Sequence, residues 1–377
     1  MADTLPPLDA DEVERYGRHL ALPEFGLEGQ RRLKAARVLL VGAGGLGSPA
    51  ALYLAAAGVG HISVVDFDAV EATNLQRQVL HGTRDVGHPK VESARRRLLD
   101  LNPHVSLSVH QARFSAANAL PLVRDHDLVV DGTDNFTTRY LVNDACVLAG
   151  RPNVHASVFR FEGQASVFAT ASGPCYRCLY PTPPPPGLVP SCAEGGVLGV
   201  LPGLLGTVQA TEAIKLAAGI GRPLIGRLLL VDALSMEFRT MSIRRDPRCP
   251  ACGTREIREL RDEPVACAAP QRVPEIAPAE LEARLRRGDP FTLLDVREDD
   301  EWARGSIPGA RPAPLSRLAE EVRALDRGRD VVVYCQAGVR SQEAGARLRA
   351  AGFAHVLSLA GGFLRYRAEV DPSLPGA

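Results

Sequence analysis

The sequence has 377 residues, and at about 150 residues per domain this length predicts two or three domains with separate cores. Hydrophobic residues make up 45% of the chain and charged residues 23%, which is typical of a folded globular protein and excludes disorder over most of the length. Lys plus Arg and Asp plus Glu both number 44, so we expect no general affinity for nucleic acid.

The first residues of the chain are acidic, whereas a signal peptide begins with basic and then apolar residues. The uncharged stretch at residues 195–207 is short and interrupted by Gly and Pro, so it does not predict a membrane span. We therefore expect a cytoplasmic protein with no membrane partner.

From residue 36 onward, short β-branched runs alternate with amphipathic stretches, a pattern typical of βαβ units around a parallel sheet. The predicted strands lie at residues 37–41, 62–65, 105–109 and 128–130. The predicted helices lie at residues 46–57, 90–101 and 136–149. After Pro152, further strands are predicted at residues 162–169, 227–230 and 236–243, with a helix at residues 206–217. These strands would extend the sheet in antiparallel fashion, which predicts an α/β, Rossmann-like domain with a mixed sheet.

Prolines mark two interruptions in this pattern. Residues 181–190 hold six prolines and predict an extended loop. A second proline-rich stretch predicts an interdomain linker at residues 256–274, between domains at residues 1–255 and 275–377. The smaller second domain is again α/β, with helices predicted at residues 278–287 and 341–350 and strands at residues 292–295 and 331–334.

The motif Gly42-Ala43-Gly44-Gly45-Leu46-Gly47 follows a predicted strand and opens a predicted helix, and Asp66 ends the next strand. Glycines in this position let the backbone approach phosphates at a helix N-terminus, and the acid accepts hydrogen bonds from ribose hydroxyls. The motif therefore predicts a nucleotide site. A nicotinamide or flavin oxidoreductase and a tight turn without a ligand are the alternatives.

The residues after Asp66 favour a nucleoside triphosphate. Asn74, Arg77 and Lys90 supply polar and cationic groups that hydride transfer does not need. Adenylation of a carboxylate needs them, because pyrophosphate leaves with rising negative charge that cations and Mg²⁺ stabilise. Asp134 follows a predicted strand and is a candidate ligand for that Mg²⁺, with capping of the next helix as its alternative role.

These motifs resemble the MoeB/ThiF family over residues 15–252. The resemblance is carried by the glycine motif and by Arg15-Tyr16-Gly17-Arg18, Asn74-Leu75-Gln76-Arg77-Gln78, Gly87-His88-Pro89-Lys90 and Asp134-Asn135. It implies a homodimer that uses ATP to adenylate the C-terminal glycine of a small ubiquitin-like sulfur-carrier protein ending in Gly-Gly. It also implies nucleotide contacts and a residue that reaches into the partner subunit's site. The implied contacts are Gly42, Gly44, Gly45, Gly47, Asp66, Asn74, Arg77, Lys90, Asp134 and Asn135, and the residue that reaches across is Arg18.

Two Cys-x-x-Cys pairs, Cys175 with Cys178 and Cys249 with Cys252, offer four thiolates that suit tetrahedral Zn²⁺. The 70 residues between the pairs exceed the spacing of a zinc ribbon, so the metal would connect a distant loop to the end of the domain. Two redox disulfides or four unrelated thiols are the alternatives. All four positions match the structural zinc of the MoeB/ThiF family.

Cys335 begins the loop Cys335-Gln336-Ala337-Gly338-Val339-Arg340, which follows an apolar strand and precedes a predicted helix. Backbone N–H groups of such a loop, the helix N-terminus and Arg340 would stabilise a nucleophilic thiolate. A buried structural cysteine is the alternative. Cys335 and Arg340 are five positions apart, one fewer than the phosphatase signature requires.

This second domain resembles rhodanese from about residue 274 to the C-terminus. The motifs that carry the resemblance are Leu294-Asp295-Val296-Arg297 with Glu301, Gly305-Ser306-Ile307-Pro308-Gly309-Ala310 and the Cys335 loop. The resemblance implies that Cys335 carries a persulfide whose terminal sulfur is delivered.

Cys192 aligns with a crossover-loop cysteine of the MoeB/ThiF family, which implies thioester formation or resolution of an acyl disulfide. We expect no chemical role for Cys146 or Cys267.

Together, the two resemblances imply an adenylyltransferase and sulfurtransferase that uses ATP, Mg²⁺ and Zn²⁺ and produces a carrier thiocarboxylate. Its sulfur would come from a cysteine desulfurase or thiosulfate, and the product would serve molybdopterin, thiamine or a related sulfur pathway. The alternative is an adenylyltransferase whose rhodanese domain is regulatory or dispensable.

Overall fold

The computed structural model describes residues 5–184, 196–262, 273–323 and 325–375. These residues form two compact units, one on each side of residues 263–272, and each unit is described by itself. The predicted linker falls largely outside the described residues, as do residues 185–190 of the proline-rich segment and the two cysteines Cys192 and Cys267.

The first unit is built around a mixed sheet of eight described strands in the order β3-β2-β1-β4-β5-β6-β7-β8. The strands are β1 (Arg37–Val41), β2 (His61–Val65), β3 (Ser106–His110), β4 (Leu128–Asp131), β5 (Asn153–Phe159), β6 (Glu162–Phe168), β7 (Arg227–Asp232) and β8 (Glu237–Ser242). Strands β1 to β5 pair in parallel, and β6, β7 and β8 pair antiparallel to their neighbours. The predicted α/β fold with a mixed sheet is confirmed.

The described helices of this unit are α1 (Ala10–Arg15), α2 (Gly17–Leu20), α3 (Gly26–Ala35), α4 (Gly47–Ala57), α5 (Lys90–Leu101), α6 (Ala119–Arg124), α7 (Phe136–Ala149), α8 (Tyr176–Leu179) and α9 (Val200–Ala218). Central strands β1, β2 and β4 are buried at nearly every position, as expected for parallel strands covered by helices on both faces. Their Val, Leu and Ile side chains form the centre of the hydrophobic core.

Strand β5 was not among the predicted elements. Its first five residues are buried, yet three of its positions are the polar residues Asn153, His155 and Ser157. A prediction that relies on runs of β-branched residues does not recognise such a strand, because the polar residues interrupt the run. His155 and Ser157 are hydrogen-bonded inside the sheet, His155 to Asp131 and Ser157 to Gln164, so part of the cost of burying polar groups is offset.

Helix α9 begins six residues before its predicted start, at Val200 instead of residue 206. Pro202 lies in its first turn, where the missing N–H group is not needed. Gly206 lets α9 pack closely on α4, because a Cβ atom there would collide with Leu46 O and approach Pro49 Cγ to 2.5 Å. The predicted helix is therefore confirmed, its start is six residues earlier than predicted, and its packing on α4 requires glycine at position 206.

The second unit contains a parallel sheet of five described strands in the order β11-β10-β12-β13-β9. The strands are β9 (Glu275–Ile276), β10 (Phe291–Asp295), β11 (Arg311–Pro312), β12 (Asp330–Tyr334) and β13 (Val356–Leu359). The helices are α10 (Pro278–Arg287), α11 (Asp299–Trp302), α12 (Leu318–Glu321), α13 (Val339–Ala350) and α14 (Gly362–Glu369). Helix α13 begins two residues before its predicted start, so Arg340 lies in its first turn. Within the described ranges of both units, no helix combines the length and apolar character that a bilayer span needs.

The packing of α9 on α4 can be tested by comparing two glycines of α9. Gly206→Ala should lower the free energy of unfolding of the first unit by about 1–3 kcal/mol, because the added methyl group meets backbone. Gly203 has no atom within 4 Å of an added Cβ, so Gly203→Ala should raise it by about 0.5–1 kcal/mol through helix propensity. Calorimetric unfolding measures both values, and equal effects of the two substitutions would contradict the packing.

Candidate functional site

The C-terminal ends of β1, β2 and β4 meet at one edge of the first sheet, because these strands are parallel and adjacent. The chain continues from β1 to β2 on one side, whereas β4 lies on the other side of β1. In open α/β sheets, ligands bind in the crevice formed where the strand order reverses in this way. The predicted nucleotide motif lies at this crevice.

Two glycines of the motif are required by packing within the protein. Gly42 has φ +94°, and a Cβ atom on it would lie 3.0 Å from Gly132 O. A Cβ atom on Gly47 would collide with Gly42 O. The loop after β1 and the loop after β4 therefore touch through backbone atoms, and only glycine fits there.

Gly44 is different, because the folded chain does not fill the space beside it. A Cβ atom on Gly44 would have only Gln78 Nε2 as a neighbour within 4 Å, at 3.8 Å. On Gly45, a Cβ atom would lie 3.2 Å from Pro202 Cβ and 3.5 Å from Arg77 Cδ. The packing of the protein alone does not require glycine at 44, so the loop leaves room for a bound group against its backbone, as a phosphate site needs.

Asp66 is buried beside this loop, and two backbone donors hold its carboxylate. The N–H of Ala43 donates to Oδ2 and the N–H of Asp68 donates to Oδ1, each at 2.8 Å. Burial raises the pKa of Asp66. The carboxylate thus braces the glycine loop, and its contact with a ribose remains a prediction.

Lys90 is the first residue of α5 and is buried, which is unusual for lysine. Its Nζ lies 3.0 Å from Asp68 Oδ2, and its backbone N–H donates to Asp68 O at 2.9 Å. The structure therefore brings Lys90 next to the Asp66 side of the glycine loop. A positive charge at a helix N-terminus is unfavourable for the helix dipole. The position of Lys90 therefore favours a role in binding an anion over a role in stabilising the helix.

Arg77 lies beside the glycine loop, and Asn74 ends the short helical turn that precedes it. Asn74 is buried, and its Oδ1 accepts a hydrogen bond from the N–H of Glu71 at 3.2 Å. Arg77 lies against Gly45, and its Nη1 donates to Thr73 O at 3.2 Å. These hydrogen bonds fix both side chains in the turn that precedes helix α5, and the contact of either with a nucleotide stays a prediction.

Asp134 lies after β4 with an exposed carboxylate. The alternative that it caps the next helix is wrong, because Asn135 is the N-cap of α7 and its Oδ1 accepts from the N–H of Thr138 at 2.9 Å. This leaves the Asp134 carboxylate at the crevice, where a hard cation could bind it. The carboxamide oxygen of Asn135, predicted to face the nucleotide, is engaged in this cap.

The sequence analysis missed a buried pair beneath the Asp134 loop. His155 Nδ1 lies 2.8 Å from Asp131 Oδ2, and Thr133 Oγ1 donates to Asp131 Oδ1 at 2.6 Å. Burial lowers the pKa of His155, while the hydrogen bond from His155 holds the pKa of Asp131 below its ordinary value against the effect of burial. The resulting carboxylate and neutral imidazole anchor the loop that presents Asp134.

The four predicted metal ligands converge in the first unit. Their Sγ atoms lie within 4.8 Å of one another, with Cys175–Cys249 at 3.5 Å and Cys178–Cys252 at 3.4 Å. A tetrahedron with Zn–S bonds of about 2.3 Å has edges of about 3.8 Å, so the cluster fits a zinc ion. Burial raises the pKa of Cys175 and raises that of Cys178 to about 11, which a bound dication would counteract.

The segment that carries Cys175 and Cys178 is fixed on helix α7. Asn143 Oδ1 accepts from the N–H of Tyr176 at 2.7 Å, and the guanidinium of Arg177 donates two hydrogen bonds to Asp144 at 2.7 and 2.8 Å. The ring of Tyr176 packs on that of His155, with centroids 4.9 Å apart. The cysteine cluster is thus connected by packing to the pair beneath Asp134.

Arg18 is exposed on the short helix α2. The crevice described above is formed without it, which is compatible with the prediction that it acts in a partner subunit. Cys192, predicted to take part in sulfur transfer, lies outside the described residues.

In the second unit, Cys335 follows the central strand β12 and is buried. The N–H of Gly338 donates to its Sγ at 3.2 Å, and Ser341 Oγ lies 3.6 Å from that sulfur. Gly338 has φ +93°, so the loop turns sharply and directs its backbone N–H toward the sulfur. This arrangement can stabilise a negative charge on the sulfur.

Arg340, predicted to support that charge, forms two hydrogen bonds of 2.6 Å to the carboxylate of Glu301. This pairing holds the pKa of Glu301 below its ordinary value and partly compensates the charge of Arg340. The backbone N–H of Gly338 therefore donates directly to the sulfur, whereas the guanidinium of Arg340 is paired with Glu301. A second pair, Arg297 with Asp295, is fully buried, and Arg297 also donates to Gln336 Oε1 at 3.2 Å.

Comparison with known families matches two parts of the chain. Residues 16–251 match the ThiF family, and residues 277–369 match the rhodanese-like domain.

Several curated proteins are similar over most of the chain. A probable adenylyltransferase/sulfurtransferase of Mycobacterium tuberculosis, MoeZ, is 48% identical over 99% of this chain and 99% of its own length. The adenylyltransferase and sulfurtransferase MOCS3 of Bos taurus is 44% identical over 98% of this chain and 90% of its own. A sulfur carrier protein adenylyltransferase of Thermus thermophilus is 54% identical over 68% of this chain and 97% of its own.

Among solved structures, Escherichia coli MccB crystallised with ATP is 25% identical, with a TM-score of 0.57 over 64% of this chain and 75% of its own. The crystal structure of MccB with MccA-N7isoASN gives a TM-score of 0.58 at the same identity and the same coverage.

The open space at Gly44 yields a prediction about nucleotide binding. Gly44→Ala should fold normally, because its methyl group meets only Gln78 at ordinary contact distance. It should weaken binding of Mg-ATP about tenfold or more, because the methyl group occupies the space left for a phosphate. Titration calorimetry measures the dissociation constant for Mg-ATP, and zinc content is the control for folding. Unchanged affinity would mean that phosphate does not approach this backbone.

The cysteine cluster yields a second prediction. Cys178→Ser should lower bound zinc well below one ion per chain and reduce the melting temperature of the first unit, because three thiolates hold the metal less tightly. The matched variant Cys335→Ser should keep its zinc. Metal analysis and calorimetry measure both, and full zinc in Cys178→Ser would contradict the site.

Proposed function

The chain belongs to the ThiF family and continues into a rhodanese-like domain, and we propose that it adenylates a small ubiquitin-like sulfur carrier and then converts the carrier's C-terminus into a thiocarboxylate. It is an adenylyltransferase and sulfurtransferase, as are the relatives that span its length. One observation carries the proposal: a single chain holds both candidate sites. The first is the glycine-loop crevice with Lys90, Arg77 and Asp134. The second is the buried Cys335 at the end of a central strand.

In the first reaction, a carboxylate oxygen of the carrier's terminal glycine attacks the α-phosphorus of ATP, and pyrophosphate leaves. Backbone N–H groups of the glycine loop bind the phosphates, while Arg77 and Lys90 offset the charge that grows on pyrophosphate. Asp134 would hold a magnesium ion, which supplies further neutralisation of phosphate charge. The four-cysteine cluster would hold zinc with no open ligand position, so its role is structural.

In the second reaction, Cys335 first accepts sulfur from a donor such as thiosulfate, which leaves as sulfite, or from a cysteine desulfurase. The terminal sulfur of the Cys335 persulfide attacks the acyl adenylate and releases AMP, which leaves an acyl disulfide between carrier and Cys335. A thiolate then attacks the Cys335 sulfur and releases the thiocarboxylate. Cys192 is our candidate for that thiolate. An external thiol reductant then reduces the resulting disulfide between Cys192 and Cys335 and restores both thiols.

We further propose domain boundaries at residues 1–255 and 275–377, and a homodimer in which Arg18 reaches the partner's nucleotide. The expected setting is the cytoplasm, and the expected product pathways are those of molybdopterin, thiamine or a related sulfur compound. Carrying both reactions on one chain raises the effective concentration of the sulfur donor near the activated carrier. Family membership favours this chemistry over the nicotinamide or flavin alternative.

Single substitutions should separate the two reactions. Asp134→Ala should reduce carrier-dependent ATP–pyrophosphate exchange by about 100-fold, because it removes a ligand of the metal that stabilises the leaving group. It should leave transfer of sulfur from thiosulfate to cyanide unchanged. Asp100→Ala, which removes an exposed carboxylate of α5, is the control and should change neither rate.

Cys335→Ala should show the reverse pattern, with normal exchange and no transfer of sulfur to cyanide. It should also abolish thiocarboxylate formation. Continued thiocarboxylate formation at the wild-type rate would favour the alternative in which the rhodanese-like domain is regulatory or dispensable.

A further inference from the structure

His81 lies beneath the glycine loop, and neither the motifs nor the proposed reaction assigns it a role. The residue is 7% exposed. Its Nε2 lies 3.0 Å from Ala43 O, and its Nδ1 lies 2.9 Å from Ser93 Oγ. Ala43 belongs to the glycine motif, and Ser93 lies one turn after Lys90 on α5. His81 therefore connects two of the elements that face the nucleotide crevice.

The donors and acceptors around the ring follow from the chemistry of its partners. A carbonyl oxygen can only accept, so Nε2 carries the hydrogen and donates it to Ala43 O. Burial lowers the pKa of His81, which favours the neutral ring. Its Nδ1 then accepts from the Ser93 hydroxyl.

His81 closes a ring of interactions around this edge of the sheet. On the opposite side, the N–H of Ala43 donates to Asp66. The Asp66 carboxylate accepts from the N–H of Asp68, and the Asp68 side chain pairs with Lys90. Helix α5 connects Lys90 back to Ser93. Both backbone groups of Ala43 are thereby fixed, its N–H by Asp66 and its carbonyl by His81.

The carbonyl of Ala43 and the N–H of Gly44 belong to the same planar trans peptide, in which they point in opposite directions. Holding the carbonyl toward His81 therefore directs the Gly44 N–H away from His81. The neighbouring space at Gly44 is the part of the loop that the folded chain leaves open. Because glycine permits many backbone conformations, the peptide would rotate readily without this anchor.

We propose that His81 is a positioning residue that aims the Gly44 N–H at a nucleotide phosphate and keeps Lys90 in register with the glycine loop. This inference rests on the proposed use of ATP and specifies how the site is pre-organised. Pre-organised donors bind without the cost of reorientation. Loss of the His81–Ala43 hydrogen bond should therefore weaken nucleotide binding more than it disturbs the fold.

Two substitutions of His81 separate positioning from structural support. Gln places an N–H donor near the position of Nε2 and can still bind Ala43 O, whereas Asn places its polar group near Nδ1 and cannot reach that carbonyl. Titration of the full chain with Mg-ATP should give a dissociation constant within about threefold of wild type for His81→Gln. It should give one about tenfold higher for His81→Asn, the cost of one buried hydrogen bond.

Zinc content and the transfer of sulfur from thiosulfate to cyanide report whether each variant is folded. Wild-type affinity in His81→Asn, or equal weakening in both variants, would overturn the proposal. Ser93→Ala, which leaves His81 in place, should raise the dissociation constant about two- to fivefold, and no change would overturn the connection to α5. If the wild-type chain itself did not bind Mg-ATP, the proposed function would be contradicted. If wild type bound Mg-ATP and the variants bound it equally well, only the role of His81 would be contradicted.

Discussion

The contact between two backbone loops, one after β1 and one after β4, is the constraint on which the nucleotide site depends. Gly42, Gly47 and Gly132 approach so closely that a side chain on any of them would meet backbone atoms. This contact holds the glycine loop against the loop that presents Asp134. Any change that separates the two loops would also separate the candidate phosphate-binding backbone from the candidate metal ligand.

Buried polar groups hold this arrangement from below. Asp131 and His155 anchor the Asp134 loop, and Tyr176, which directly follows the candidate metal ligand Cys175, packs on His155. Asn143 and Asp144 attach the same segment to α7. Because α7 begins immediately after the Asp134 loop, the cysteine cluster supports the nucleotide edge although its sulfurs are not part of the crevice. A structural zinc ion would therefore influence adenylation through packing.

Much of the fold could be predicted from the sequence, because apolar runs and helix boundaries are local features. The boundaries of β1, α5 and α7 agree with prediction since each begins or ends at a strong local signal, such as Pro89 before α5 or Gly150 after α7. Strand β5 was not predicted because buried polar residues interrupt its apolar run, and the partner that accommodates His155 in the core is Asp131, which is distant in sequence. The role of His81 was not predicted for a similar reason, because it depends on hydrogen bonds to Ala43 and Ser93, which only the fold brings to the two sides of the ring.

The central claim is that one chain both activates a carrier and supplies its sulfur through Cys335. Intact-mass measurement of a Gly-Gly-ended carrier, incubated with the enzyme, Mg-ATP, thiosulfate and a thiol reductant, tests it most directly. The account predicts the mass of a thiocarboxylate with wild-type enzyme and its absence when ATP is omitted or when Cys335→Ala replaces wild type. A carrier that keeps its original mass with active wild-type enzyme, or that gains sulfur without ATP, would contradict it.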